Sequence, residues 1–270
     1  MGKREELFIA FGVILFLLLA AGLYWLCRVR SRRAVDSALE EIRLTGLVPG
    51  LQGIQFSADG VLGPAGATEP TWEGAVVVLD TSDAPLREVY PNTELFCALG
   101  IAGTPVPESV RDYCGDFPIL RGPEGCLPSG KSWSVLHICP LGLHDPVQPG
   151  QEGVAELEES LSQVAQIYVS GWGLHRDFDK RCAGGEVDLT VLMTVPFSDA
   201  NSGIMSRAGQ VQHFASCLAV ASRQNPGKMS SGPRFKLCCD GEEMRRICTE
   251  AAYNATREID KHWGKAGAAR

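Results

Sequence analysis

The chain lacks an excess of positive charge, and it contains neither an internal repeat nor a low-complexity tract. It has 270 residues and a formal net charge of −7 at pH 7. A protein that binds nucleic acid normally needs a basic face, so this charge argues against nucleic acid as a partner. Apolar residues make up 45% of the sequence, which is ordinary for a globular protein and sufficient for a sizeable core.

Formal charge is also missing from the whole stretch between Leu7 and Cys27. At about 1.5 Å per residue, a helix of this length crosses the roughly 30 Å hydrocarbon core of a bilayer. A backbone inside lipid has to satisfy its own hydrogen bonds. The pattern therefore predicts a single transmembrane helix over 7–27 that acts as an uncleaved signal anchor. We expect a short N-terminal tail over 1–6 and contact with membrane lipid through residues 7–33.

The topology of this anchor follows from charge, with one alternative. Arginines stand at positions 28, 30, 32 and 33, and positive charge tends to stay cytosolic, so we expect a cytosolic soluble domain. With Cys27 set aside, an odd number of the ten cysteines is left, which favours reduced thiols. The spacing of the next cysteines and a glycosylation triplet at Asn254 favour instead a disulfide-bearing lumenal or extracellular domain. On either topology we expect a cysteine-rich protein.

Beyond the anchor, the chain divides into two parts with different patterns. Residues 50–150 are rich in glycine and proline and indicate short β-strands, whereas residues 151–265 alternate between helical and strand periodicity. A basic flank and juxtamembrane helix over 28–49 precede them, and a flexible tail over 266–270 follows. The predicted fold class is α+β, with α/β as the alternative for the C-terminal half.

Hydrophobic periodicity also predicts the individual elements. Asp59-Gly60 predicts a β-hairpin that joins strands at 54–56 and 61–62. Further strands are predicted at 75–79, 95–99, 119–120, 132–138, 187–195 and 235–239. Helices are predicted at 31–44, 154–168, 211–221 and 244–259.

Residues 125–132 fit the pattern of a phosphate-binding loop, in which Lys131 would reach the outer phosphates and Ser132 would bind magnesium. The motif requires a buried strand before it and a helix after it. Pro118 interrupts the preceding segment, and the following residues favour a strand. Asp80 ends a predicted buried strand, but it precedes the loop, whereas the metal-binding acid usually follows it. A turn is the favoured interpretation, with nucleotide binding as the alternative.

Two further clusters contain possible metal ligands. Asp177 and Asp179 could hold a divalent ion in a sugar-nucleotide transferase, but their basic neighbours favour a charged surface turn. The preceding His175 and Arg176 match the start of a kinase loop that lacks its other residues, so kinase chemistry is excluded. The second cluster offers nitrogen and sulfur ligands that zinc prefers, at spacings that match no standard zinc motif. It consists of Cys126, His137, Cys139 and His144.

Cys238 and Cys239 lie where a predicted strand meets the final helix. A helix N-terminus lowers the pKa of a thiol, and His213 could serve as the base for a reactive cysteine. A buried cysteine is usually inert, however, and inert thiols are the favoured interpretation. Asp240 is interpreted as the cap of the final helix.

No constellation in the sequence meets the geometric requirements of catalysis. We therefore name no catalytic, cofactor-binding or metal-binding residue, and the balance is against an enzyme. The predicted function is binding or scaffolding at a membrane surface, with a protein partner and no nucleic acid. The alternatives are a lumenal or extracellular domain (an envelope or receptor component, or a small transferase) and a nucleotide-binding protein of the phosphate-loop type.

Overall fold

A computed structural model describes residues 21, 23–25, 28–30, 34–51, 53–111, 119–138, 143, 149–170, 189–197, 199–225 and 234–267. The chain forms two compact units, Met1–Thr45 and Gly46–Arg270. In the first unit, residues 34–45 form helix α1, close to the bounds that the apolar stripe predicts. The second unit contains the β-sheet and the helices that follow α1 in sequence.

The prediction of a transmembrane anchor is wrong for the described part of the chain. There, no helix is both long and apolar enough to cross a bilayer, because charged and polar residues interrupt the apolar ones along every long helix. Leu23, Tyr24 and Trp25 are helical and exposed, while most of the predicted span 7–27 lies outside the described residues. The single-pass, signal-anchor and membrane-localisation predictions are corrected accordingly.

The second unit is a mixed α/β domain with one six-stranded sheet, so the predicted α+β class is wrong. The strand order is β1-β6-β5-β2-β4-β3, and every described pairing is parallel except that of β3 with β4. Strands from the glycine-rich part and from the alternating part therefore share one sheet. The strands are β1 Ile54–Ser57, β2 Ala75–Asp80, β3 Ile119–Cys126, β4 Ser132–Ile138, β5 Leu189–Thr194 and β6 Arg234–Cys238.

Two of the predicted local elements are corrected as well. The hairpin at Asp59-Gly60 does not form, because β1 pairs in parallel with β6 and residues 61–62 are not a strand. The strand expected at 95–99 is instead the short helix α2, Glu94–Ala98, whose N-cap Thr93 accepts a hydrogen bond from the amide of Phe96. A capped first turn favours a helix over an extended strand.

Three long helices pack in sequence order within the domain. They are α4 Gln151–Ser170, α5 Arg207–Gln224 and α6 Glu242–Gly267, and a short helix, α3 Glu108–Arg111, precedes them. Helix α5 lies between α4 and α6. Its buried residues recur at helical spacing, and Phe214 packs edge-on against Tyr168 of α4 with 5.6 Å between the ring centroids. These contacts bury the apolar stripe of each helix.

The strand registers define residue rows that cross the sheet, and alternate rows point to opposite faces. One face carries apolar rows across the five parallel strands, such as Phe56, Leu237, Met193, Leu79 and Leu136. On the other face, one row changes from polar to apolar side chains across the sheet. Its polar residues are Gln55 of β1 and Lys236 of β6. Its apolar residues are Leu192 of β5, Val78 of β2 and Val135 of β4. This face is therefore polar on one side and apolar on the other.

Residues 61–73 and 81–111, which flank β2 in sequence and are here called the covering segment, cover the apolar side of that second face. Tyr90, Phe96 and Trp72 from this segment form one buried cluster with Val78 and Val135 of the sheet. The Trp72 indole donates a 2.7 Å hydrogen bond to the carbonyl of Val61, so this bond joins two parts of the covering segment. The described residues leave the polar side over β1 and β6 open, and the candidate functional sites lie there and at the strand ends.

Candidate functional site

The carboxyl ends of the parallel strands carry a row of polar residues that faces the covering segment. In this carboxyl-end row, Ser57 pairs with Cys238, Cys238 with Thr194, and Asp80 with His137. The next strand in the chain after β2 is β3, which lies beyond β4 on one side, whereas the next strand after β5 is β6 on the other side. In open α/β sheets, ligands bind outside the carboxyl ends of strands at such a change of direction, so this row is where a ligand site is expected.

Asp80 and His137 form a buried hydrogen-bonded pair in this row. His137 is completely buried and Asp80 is 5% exposed, and their Nδ1 and Oδ2 atoms lie 2.8 Å apart. Because a carboxylate only accepts, Nδ1 carries the imidazole proton. The other ring nitrogen, Nε2, then faces the hydroxyl of Tyr90 at 3.4 Å. Ser82 completes the chain by donating its hydroxyl to Asp80 Oδ2 at 2.8 Å.

The order of these four groups does not suit nucleophilic catalysis. A serine nucleophile has to reach the histidine base, whereas Ser82 contacts the carboxylate instead. The Tyr90 hydroxyl contacts the histidine ring. Burial, followed by the charge of Asp80, raises the pKa of the Tyr90 phenol to about 12. A protonated, buried phenol serves as a hydrogen-bond donor. The network therefore attaches the covering segment to the sheet.

A second set of hydrogen bonds lies next to Asp80 at the carboxyl ends of the strands. The Tyr168 hydroxyl donates to the carbonyl of Thr194 at 2.7 Å, and the Thr194 hydroxyl donates to the carbonyl of Leu79 at 3.2 Å. The Thr81 hydroxyl lies 3.4 Å from the Thr194 hydroxyl. Burial raises the pKa of Tyr168 above its ordinary value, so this phenol also stays neutral. Helix α4 is thereby tied to the ends of β5 and β2.

A cavity of about 240 Å³, here called the edge cavity, opens outside the ends of β5 and β6. Thr194 and Cys238 of the carboxyl-end row line it, together with the loop 60–67. Three charged side chains also line it: Glu94, Arg207 and Asp240. The Arg207 guanidinium stacks over the Phe197 ring at 3.8 Å from the centroid.

A larger open groove of about 880 Å³, here called the sheet-face groove, lies over the uncovered side of the sheet. Gln55, Thr190, Arg234 and Lys236 project from its floor, which β1, β5 and β6 form. Lys236 pairs with Asp59 at 2.7 Å, and this pairing holds the pKa of the Asp59 carboxyl below its ordinary value. The walls are mostly apolar and include Leu47, Val61, Pro64 and Trp72.

The sequence motif that resembles a phosphate-binding loop is the turn of a β-hairpin. Residues 127–131 connect the antiparallel strands β3 and β4, so a strand follows the motif where a nucleotide site would need a helix. Lys131 donates a hydrogen bond to the carbonyl of Trp72. This lysine thereby attaches the hairpin to the covering segment.

The structure separates the candidate metal ligands that it describes. His137 is buried in the Asp80 network, and Cys126 is exposed at the end of β3. Cys139, His144 and the acidic pair Asp177 and Asp179 lie outside the described residues, as do His175 and Arg176. In the described ranges, no three histidine, cysteine or acidic side chains are grouped closely enough to hold a metal ion.

The paired cysteines lie where the sequence predicts, at the end of β6, and both are buried. Burial raises the pKa of Cys238 to about 12, and a hydrogen bond with Cys248 together with burial raises that of Cys239 further. Thiols of this kind stay protonated and are poor nucleophiles. His213 contacts Cys217 at 3.4 Å and the carbonyl of Glu158 at 3.2 Å, so its contacts are with α5 and α4.

The cysteine-rich prediction is also wrong. The sequence has ten cysteines in 270 residues, and the cysteines that the structure describes are free thiols with no disulfide among them. They lie on separate strands and helices, apart from Cys238 and Cys239. Asp240 does not occupy the cap position either: α6 begins at Glu242, and Asp240 takes a left-handed φ of 53° two residues earlier.

Sequence reasoning recognised Asp80 and His137 only as separate residues, because they are 57 positions apart in the chain. No sequence motif marks the groove or the edge cavity, because each is lined by short segments from distant parts of the chain. No protein-family model matches the sequence, and a search of curated proteins also finds no match. The function is therefore proposed from the geometry of these sites.

Proposed function

We propose that this domain is a protein-binding module and that the sheet-face groove holds an extended segment of the partner. The observation that carries this proposal is the unequal cover of one sheet face. The covering segment buries the side formed by β2 and β4, while β1, β6 and β5 present polar side chains to an open groove of about 880 Å³. This volume lies in the range of about 300–1,000 Å³ that ligand sites occupy.

The chemistry of the groove suits a polypeptide. Its floor offers an amide, a hydroxyl and two cationic groups, which can pair with the backbone carbonyls and side chains of an extended segment. Its walls offer the apolar surfaces of Leu47, Val61 and Pro64 for the alternate side chains of that segment. Lys236 is already paired with Asp59 in the free domain, which reduces the cost of bringing a partner over its charge.

The buried polar groups support binding over catalysis. The strongest polar constellation, Asp80 with His137, lies beneath the covering segment and serves to hold it. Catalysis needs its acid, base or nucleophile within hydrogen-bond reach of a substrate. The groove, by contrast, is open and has no need of a strained or perturbed group.

The proposal can be tested with a displayed library of random linear peptides, selected on the full-length protein. Enriched peptides should then bind the purified protein, as measured by fluorescence anisotropy. Thr190→Trp places a large side chain on the groove floor and should weaken binding by about tenfold or more. Val220→Trp, on an exposed position of α5 away from the groove lining, is the matched control and should leave affinity unchanged.

Two results would refute the groove as the binding site. One is a selection that enriches no peptide. The other is a set of enriched peptides that bind the Thr190→Trp variant as tightly as the unmodified protein. Thermal unfolding of both tryptophan variants checks that each retains the fold.

A further inference from the structure

The edge cavity combines opposite charges that do not neutralise one another. Arg207 contributes a guanidinium, and Glu94 and Asp240 contribute carboxylates. Within the described part of the chain, none of the three forms an ion pair, although all line one cavity. The three exposed charges thus line one cavity without pairing, and a ligand of mixed charge can bridge them.

Local structure places the three charged residues at the cavity. Arg207 is the first residue of α5, directly after the N-cap Ser206, and its guanidinium lies on the Phe197 ring. Asp240 has the one left-handed φ among the described non-glycine residues. Its carboxylate lies across from Gly60 in the loop that forms the cavity wall. Glu94 begins α2, which packs in the buried cluster through Phe96.

We propose that the edge cavity binds a small zwitterion, namely a free amino acid, with a preference for basic amino acids. Arg207 pairs with the ligand carboxylate, because a guanidinium matches a carboxylate in a two-point contact. Glu94 and Asp240 pair with its ammonium groups. Two carboxylates face one guanidinium, so a ligand with two amino groups and one carboxylate balances the charge.

The size and place of the cavity agree with this ligand class. Its volume of about 240 Å³ lies below the range of about 300–1,000 Å³ for drug-sized ligands. It opens beyond the carboxyl ends of β5 and β6, next to the strand pair where the chain changes direction. Ligands of α/β domains bind in this position. Loop residues 60, 61, 63 and 64 line both sites, but the three charged residues line the edge cavity and not the protein-binding groove, so the two proposals can be tested separately.

Isothermal titration calorimetry on the full-length protein tests the inference, with L-lysine, L-alanine and L-glutamate as probes. We expect affinity to fall in that order. Pentane-1,5-diamine lacks the carboxylate of lysine, and Nα-acetyl-lysine lacks its α-ammonium. Each should bind at least about tenfold more weakly than lysine, because each loses a charge-assisted contact.

Three variants assign the contacts. Arg207→Gln should weaken lysine binding by about tenfold or more, while Arg207→Lys, which keeps the positive charge, should restore part of the affinity. Glu94→Gln should reduce the preference for lysine over alanine. Arg246→Gln removes an exposed arginine of α6 that pairs with Glu250, and as the control it should change nothing.

The inference is overturned if lysine does not bind, if the diamine binds as tightly as lysine, or if Arg207→Gln leaves lysine affinity unchanged. The groove variant Thr190→Trp should keep full lysine affinity. Loss of peptide binding with retained lysine binding, or the reverse, therefore shows which of the two proposals has failed.

Discussion

Removing the imidazole of His137 should expose how strongly the buried network holds the covering segment. In His137→Leu, an apolar side chain replaces the partner of the Asp80 carboxylate, which is 5% exposed. Removing the donor of a hydrogen bond to a buried charged group costs about 1.5–3 kcal/mol. Asp80 still accepts hydrogen bonds from the hydroxyl and the amide of Ser82. We therefore expect a loss of about 2 kcal/mol of unfolding free energy.

A double-mutant cycle separates the pair from the packing around it. Asp80→Asn keeps an acceptor for Nδ1 and removes the charge, so it should cost about 1 kcal/mol. In the double variant, no carboxylate is left without its imidazole partner. Its cost should fall short of the sum of the single costs by about 1–2 kcal/mol.

Urea-induced unfolding at neutral pH, followed by circular dichroism, gives these free energies. The slope of free energy against urea should stay constant across the variants, since the buried area is the same. Two outcomes would refute the reasoning: a loss below about 1 kcal/mol for His137→Leu, or strictly additive costs in the double variant. Either would mean that the network does not couple the covering segment to β2 and β4.

Three other predictions concern single groups, each measured by chemical denaturation. Ser206→Ala removes the N-cap of α5 and should cost about 1 kcal/mol, whereas Ser216→Ala, inside the same helix, should change stability by less than about 0.5 kcal/mol. Folding raises the pKa of Tyr90 from 10.0 to about 12, so stability should fall as pH rises through this window, and Tyr90→Phe should flatten the fall. Folding lowers the pKa of Asp59 from 3.8, chiefly through the hydrogen bond from Lys236. The free energy of unfolding should therefore fall as pH drops below about 4. This fall should be less steep in Lys236→Met. An unchanged slope in either variant would contradict its assignment.

The regular elements could be predicted where the hydrophobic pattern is local. The buried strand expected at 75–79 is confirmed as β2, and the helix expected at 154–168 is confirmed within α4. The helix has enough residues for its period to be unambiguous, and the three valines of the run 75–79 favour a strand. The segment 95–99 is too short for this test, and its apolar residues fit a strand or a helix equally well. The Thr93 cap decides in favour of the helix.

The arrangement of the sheet could not be predicted in the same way. The first strand, β1, pairs in parallel with β6, whose residues lie far along the chain, as in the pair Phe56 and Leu237. A turn signal such as Asp59-Gly60 reports only on neighbours in sequence, and here it follows the end of β1 without returning the chain alongside it. Parallel pairing depends on crossover connections and on burial of both sheet faces, neither of which a local pattern contains.

The site escaped sequence reasoning for a related reason, namely that its chemistry belongs to a row across strands. In a parallel sheet, residues that end neighbouring strands meet at one edge, whatever their separation along the chain. Asp80 and His137 meet in this way, and the covering segment then seals them from solvent. Further along the same edge Thr194 is only partly buried, and with the buried Cys238 it lines the edge cavity. The carboxyl-end row therefore contributes stability where the covering segment buries it and lines a candidate ligand site where the edge cavity opens. The position of the covering segment determines which of the two applies, and no sequence motif predicts that position.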